Sequence, residues 1–133
     1  MTGLVAHINS RGDELKQAGV KAQWLCSSAG PYVTIEPMCY WRDALDPIQL
    51  EHLSERNRAR FGGAPENKAA RELVRRLRAE LREVFAAYGA VHAQVGRFYS
   101  LTERMDPGSR ELLQRVKRAL DPEGRMNPGS LGL

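Results

Sequence analysis

The 133-residue chain predicts an α+β fold, with an antiparallel sheet packed with helices and an irregular C-terminal tail. Three observations carry that expectation. Residues 66–88 repeat apolar side chains at helical spacing. Residues 22–41 hold two β-rich stretches around a Ser-Ala-Gly-Pro turn. Residues 121–133 contain two Pro/Gly turns and little apolar content.

From the N-terminus, Leu4, Val5, Ile8, Leu15 and Ala18 describe a helix interrupted at Arg11-Gly12 and closed by Gly19. Ala22 to Ser27 and Tyr32 to Trp41 are the two strands of a hairpin. Pro37 cannot donate to a ladder, so the second strand is either an edge strand or bulged. Asp43 to Pro47 breaks the sheet, and Ile48, Leu50 and Leu53 anchor a short helix. Residues 61–65, with Gly62-Gly63, read as a flexible loop.

The long helix repeats Ala70, Leu73, Val74, Leu77, Leu81, Val84, Phe85 and Tyr88, which is about six turns at helical pitch. Its other side carries Lys68, Arg71, Arg75, Arg78 and Arg82, interleaved with Glu72, Glu80 and Glu83, and reads first as a solvated, ion-paired face. Gly89 ends the helix. Residues 90–101 then alternate as a strand interrupted at Gly96. Asp106-Pro107 starts a last helix carrying Leu112, Leu113, Val116, Ala119 and Leu120. The organisation expected is an α+β domain over residues 1–120 and a tail over residues 121–133. Proline and glycine fix the backbone of that tail, which suggests docking rather than fraying.

With 42% apolar and 27% charged residues, the chain has the composition of one ordinary soluble domain. It has no apolar run long enough to cross a membrane and no signal-peptide pattern, so a cytoplasmic location is expected. A net charge of +4, with both signs interspersed, argues against nucleic acid as the main partner. Cys26 and Cys39 lie in strand-like stretches without CxxC spacing and are expected to be buried free thiols. The histidines His7, His52 and His92 are scattered, so no metal is expected.

No phosphate-cradling, nucleophile-elbow or zinc-hydrolase motif is present, so the sequence holds no self-sufficient active site. Polar groups on otherwise apolar strands are the candidates: Glu36 in VTIEPMCYW, and His92, Gln94, Arg97 and Tyr99 in VHAQVGRFY. By the two-residue period His92, Gln94 and Gly96 share one face, while Arg97 and Tyr99 share the other unless Gly96 bulges. The bland alternatives are a hydrogen-bonded structural histidine at His92 and a surface carboxylate at Glu36.

The C-terminal run RVKRALDPEGRMNPGSLGL resembles the C-terminal signature of FAD-linked oxidases of the vanillyl-alcohol-oxidase, 4-cresol-dehydrogenase and glycolate-oxidase type. Val116, Lys117, Leu120, Asp121, Pro122, Gly124, Asn127, Pro128 and Gly129 carry it. The upstream order, a Gly-Pro hairpin ending in Tyr-Trp-Arg-Asp, a long helix and Gly-Ala-x-His, is similar to the cap domain of the same family. The resemblance implies a cap-domain-like portion of an FAD-dependent oxidoreductase acting on a small molecule, partnered by a separate FAD-binding domain or subunit, with homo-oligomers allowed. It implies that Asn127 and the backbone of Gly129 contact the flavin. His92, Arg97 and Tyr99 would serve catalysis, and Glu36 and Gln94 would contact substrate. The isolated chain is expected to be inactive and not to retain FAD. Phenol-oxidising relatives often carry Tyr-Arg where this chain has Arg97-Phe98-Tyr99, and the Glu-His-Gly of 2-hydroxy-acid relatives is absent, so the substrate class stays open. The alternative function is a stand-alone basic interaction domain whose long helix binds an acidic protein or nucleic acid.

Overall fold

The first predicted helix is two helices. In the computed structural model, which describes residues 2–133, α1 spans Thr2–Asn9 and α2 spans Gly12–Gln17. A Schellman turn stops α2, with Val20 N–H donating to Leu15 C=O at 2.8 Å and Gly19 N–H to Lys16 C=O at 3.1 Å. Leu15 and Val20, the apolar pair around that turn, are both buried.

β1 (Lys21–Ala29) and β2 (Tyr32–Tyr40) form an antiparallel two-stranded sheet. Pairing runs in unbroken register from Lys21 opposite Tyr40 to Ala29 opposite Tyr32. Of the two readings of Pro37, the unbroken register selects the edge strand. Gly30, at φ +59°, takes the conformation that lets a two-residue turn match the twist of the strands.

The short helix α3 (Pro47–Glu51) starts at a capping box in which the Asp46 side chain accepts from Gln49 N–H and the Gln49 side chain accepts from Asp46 N–H. α4 (Glu55–Phe61) lies outside the sequence expectation, because ERNRARF has no apolar stripe. It is set by the Ser54 cap and by the Arg58 guanidinium, which donates to Leu50 C=O at 2.7 Å.

α5 (Lys68–Ala87) is the long amphipathic helix. Asn67 caps it by accepting from Ala70 N–H, while its own Nδ2 donates to Ala18 C=O and its backbone N–H donates to Asp43. One residue thus ties the end of α2, the exit of the hairpin and the start of α5. The chain divides into two compact units, Met1–Val84 and Phe85–Leu133. The core of the first consists of Leu4, Ile8, Leu15 and Val20 together with Ala70, Leu73, Val74, Leu77 and Leu81 of α5. Ion pairs frame that core, Arg11 meeting Glu80 and Glu14 meeting Arg11 and Arg76, and the His7 ring is hydrogen-bonded to Glu80.

Two expectations are corrected. Cys26 is exposed and Cys39 half-buried, both as free thiols, because a two-stranded sheet leaves much of its surface to solvent. Residues 90–101 form no strand. A single stretch gains nothing from an extended ladder without a neighbour, and here Gly96 N–H is satisfied locally by Tyr99 C=O at 2.8 Å. In the second unit, a further Schellman turn at Gly89 ends α5, and α6 (Pro107–Leu120) begins at Asp106, whose carboxylate accepts from Ser109 N–H. A short 3-10 turn occupies Thr102–Arg104, and residues 130–132 form a turn in which Leu131 and Gly132 take left-handed backbone. Among the described residues, no helix is long and apolar enough to cross a membrane.

Asp43 gives the first unit an acid-sensitive joint. Its carboxylate accepts two bonds from the Arg71 guanidinium, one from Asn67 N–H and one from the Trp41 indole, and these hold it well below the usual carboxylate range. A carboxylate whose pKa is lowered by folding contributes stability above its unfolded pKa of about 3.9 and loses it as pH falls toward the folded value. We therefore expect Asp43→Asn to lower the urea midpoint near neutrality, with the gap to the native chain narrowing in acid. A gap that stays constant on acidification would show that the Asp43 charge is not what matters.

Candidate functional site

Gly96 is the junction of the second unit. Its N–H bonds back to Tyr99, while its C=O accepts from Leu131 N–H of the tail at 3.0 Å. The loop that carries the candidate polar residues and the tail that carries Asn127-Pro128-Gly129 therefore meet at one backbone residue. Two hydroxyls complete the seat: Ser100 Oγ donates to Leu131 C=O and Thr102 Oγ1 donates to Gly132 C=O. Thr102 is buried, which makes these bonds effective anchors.

The turn at Gly96 brings together His92 and Tyr99, which a strand would place on opposite faces. Their rings stack with centroids 4.2 Å apart and 29° between planes, and Phe98 packs edge-on against Tyr99 at 4.7 Å. Both His92 and Tyr99 are half-buried, so imidazole and phenol are held by ring contacts at the rim of the loop. Gln94 and Arg97 are exposed.

The tail's own shape comes from a clamp at the end of α6. Lys117 Nζ donates to the Asp121 carboxylate and to Met126 C=O, and Asp121 also accepts from the backbone N–H groups of Arg125 and Met126. These bonds, the Lys117 contact first, hold the Asp121 carboxyl below its ordinary pKa. Beyond the clamp, Asn127 takes a left-handed φ of +46°, which asparagine tolerates better than most residues. Its carboxamide is exposed and makes no hydrogen bond among the described residues. The N–H of Gly129, by contrast, is already given to Leu133 C=O at 3.1 Å.

Six of the seven residues that the sequence singles out, all except Glu36, lie in this second unit. Glu36 belongs to the first unit, half-buried on β2 opposite Leu25. The anchoring residues Ser100, Thr102 and Gly132 carry no such signal in the sequence. Asp121 and Lys117 enter it only as letters of the C-terminal run, although their four-residue spacing at a helix end is the signal for such a clamp.

Most of the basic side of α5 is ion-paired. Arg71 pairs with Asp43 and Glu66, Arg75 with Glu72, Arg82 with Glu83, and Lys68 with Glu66. That supports a solvated ion-paired face over an anion-binding one. Among the described residues, no cluster of three or more His, Cys, Asp or Glu is placed to hold a metal ion.

Comparison with known proteins yields a family match. The family model described as FAD linked oxidases, C-terminal domain, matches residues 59–131, more than half of the chain. It takes in the whole of α5, the Gly96 junction, α6 and the clamp, and leaves the hairpin with Glu36 outside. No curated protein and no solved structure matches the chain.

Proposed function

The chain belongs to the FAD linked oxidase C-terminal domain family, and on that premise we propose that it supplies substrate-side and flavin-contacting residues to an FAD-dependent oxidoreductase. The single observation that carries this reading is the Gly96 junction, where the polar loop and the Asn-Pro-Gly tail are bonded to each other. A shared backbone node gives both a fixed mutual geometry, as a site assembled from two segments needs.

FAD, when bound, supplies the two-electron acceptor for substrate oxidation. The residues present fit one end of it. Asn127 offers an uncommitted amide, with both donor and acceptor, to a polar ring edge. Gly129 contributes through the left-handed turn at φ +72° that shapes the tail, since its N–H is committed elsewhere. Nothing in the chain fits the pyrophosphate, because no glycine-rich phosphate cradle is present, so that end is held by a separate FAD-binding domain or subunit.

On the substrate side, Arg97 binds and orients an anionic group with its planar donor fork. His92 or Tyr99 accepts the substrate proton, their stacking limiting the reorganisation needed. Gln94 adds a neutral hydrogen-bonding contact from the same loop. The substrate is a phenolic alcohol or a 2-hydroxy acid.

The test is anaerobic flavin reduction by a panel of those two substrate classes, with the chain joined to its FAD-binding domain. Arg97→Lys should slow reduction while leaving FAD bound, since an ammonium cannot reproduce bidentate geometry. Asn127→Ala should weaken FAD retention by roughly 1–3 kcal/mol, the cost of one unpaired buried partner. Native reduction rates and retention in both variants, or losses that only track lost folded protein, would remove the site assignment and leave the family.

A further inference from the structure

A two-stranded sheet has two outer edges, and here they differ chemically. The two-residue turn makes Ala29 and Tyr32 the closing hydrogen-bonded pair, so bonded pairs recur at every second position back to Lys21 and Tyr40. The residues between turn their backbone groups outward. Pro37, opposite Trp24, occupies one of these outward positions, where a residue lacking an N–H is tolerated. The outer edge of β2 runs through Val33, Ile35, Pro37 and Cys39 and lacks a donor near its centre.

The outer edge of β1 runs through Ala22, Trp24, Cys26 and Ser28 and has every donor. Among the described residues, no backbone hydrogen bond outside the hairpin reaches it. β1 holds no proline, its only charge is Lys21 at the first position, and Leu25 at its centre is 51% exposed. Natural sheets blunt an edge with charge, proline or a bulge. β2 has such protection and β1 does not.

We propose that β1 is a self-pairing edge, through which two copies of the chain join antiparallel about a twofold axis at Leu25 to make a four-stranded sheet. In that register Ala22 faces the partner's Ser28 and Trp24 faces the partner's Cys26, exchanging about eight backbone hydrogen bonds. Lys21 meets the partner's Ala29, so no like charges oppose each other. The match is also full length. Registers centred on Trp24 or Cys26 leave the end of each strand unpaired. Pro37 stops the assembly at two chains, since the dimer's remaining edges are the blocked ones. The occupant this edge fits is thus a second copy, complementary in length and free of charge conflict.

Light scattering on the full chain should give twice its 14.9 kDa mass at high concentration. Cys26→Pro, which repeats on β1 the block that Pro37 makes on β2, should give single chains, whereas Val33→Pro on the already blocked edge should stay dimeric. With Cys26 and Cys39 replaced by serine, Leu25→Cys should form a disulfide-linked dimer on oxidation, because a central non-bonded pair brings Cα atoms to about 4.5 Å. Ala29→Cys should not. If Cys26→Pro fails to fold, the Leu25→Cys cross-link decides. A chain that is monomeric throughout and does not cross-link would overturn the proposal. So would a folded Cys26→Pro dimer, or a β1 edge used only to bind the FAD-binding domain in a heterodimer.

Discussion

Leu77→Ala is expected to lower the stability of the first unit by about 2–5 kcal/mol, the range for removing a fully buried leucine side chain. Leu77 is 1% exposed and lies in the middle of the buried run of α5, with Leu73 and Val74 on one side and Leu81 on the other. Truncation removes the branched end of the side chain and leaves a void that a helix face cannot close without moving its neighbours. Small domains are stable by only about 5–15 kcal/mol, so the loss takes a large share of what is available. Arg78→Ala, one residue along and on the exposed side, should cost far less. Urea midpoints measured on the two variants check this. Equal midpoints would mean that α5 does not bury the face centred on Leu77.

The contrast between α5 and the segment after it shows what is legible in the sequence and why. In α5 the local code and the burial agree from Ala70 to Leu81, so that stretch can be read without knowing its neighbours, whereas Val84 and Phe85 are half-buried and Tyr88, beyond the end of the helix, is exposed. The same holds for the hairpin, where Gly30 and the β-rich flanks are local signals, and for the Asp106 cap. Residues 90–101 alternate like a strand, yet a strand exists only by pairing, and no local pattern says that a partner is missing. A strand would put His92 and Tyr99 on opposite faces, whereas the turn at Gly96 stacks them. α4 is invisible for the opposite reason, being held by a cap and an arginine-to-carbonyl bond without a buried face. The tail does dock, as its Pro and Gly content implies. Its seat on Ser100 and Thr102 depends on side-chain-to-backbone bonds across 30 residues or more, which leave no periodic trace.

That seat gives the second large effect, at Gly132. The residue has φ +81°, and a Cβ built there would overlap Ser100 Oγ and Thr102 Oγ1. Two separate penalties follow for Gly132→Ala. The left-handed backbone alone costs about 1–3 kcal/mol for a residue with a side chain. The clash adds to it, and relieving the clash requires the two hydroxyls that hold the tail to turn away, which forfeits their bonds to the Leu131 and Gly132 carbonyls. Gly129→Ala is the matched control, with φ +72° but nothing within 4 Å of the added Cβ, so it bears the backbone penalty without the clash. Hydrogen exchange at the Leu131 amide, which donates to Gly96 C=O, reports directly on whether the tail stays seated. In Gly132→Ala that amide should lose protection while α5 stays protected, and in Gly129→Ala it should keep most of its protection. Because Asn127 rides on the same tail, the proposed flavin contact of Asn127 predicts that Gly132→Ala also weakens FAD retention once the chain is joined to its FAD-binding domain. Equal loss of Leu131 protection in the two variants would show that backbone strain, and not the Ser100–Thr102 seat, governs the tail.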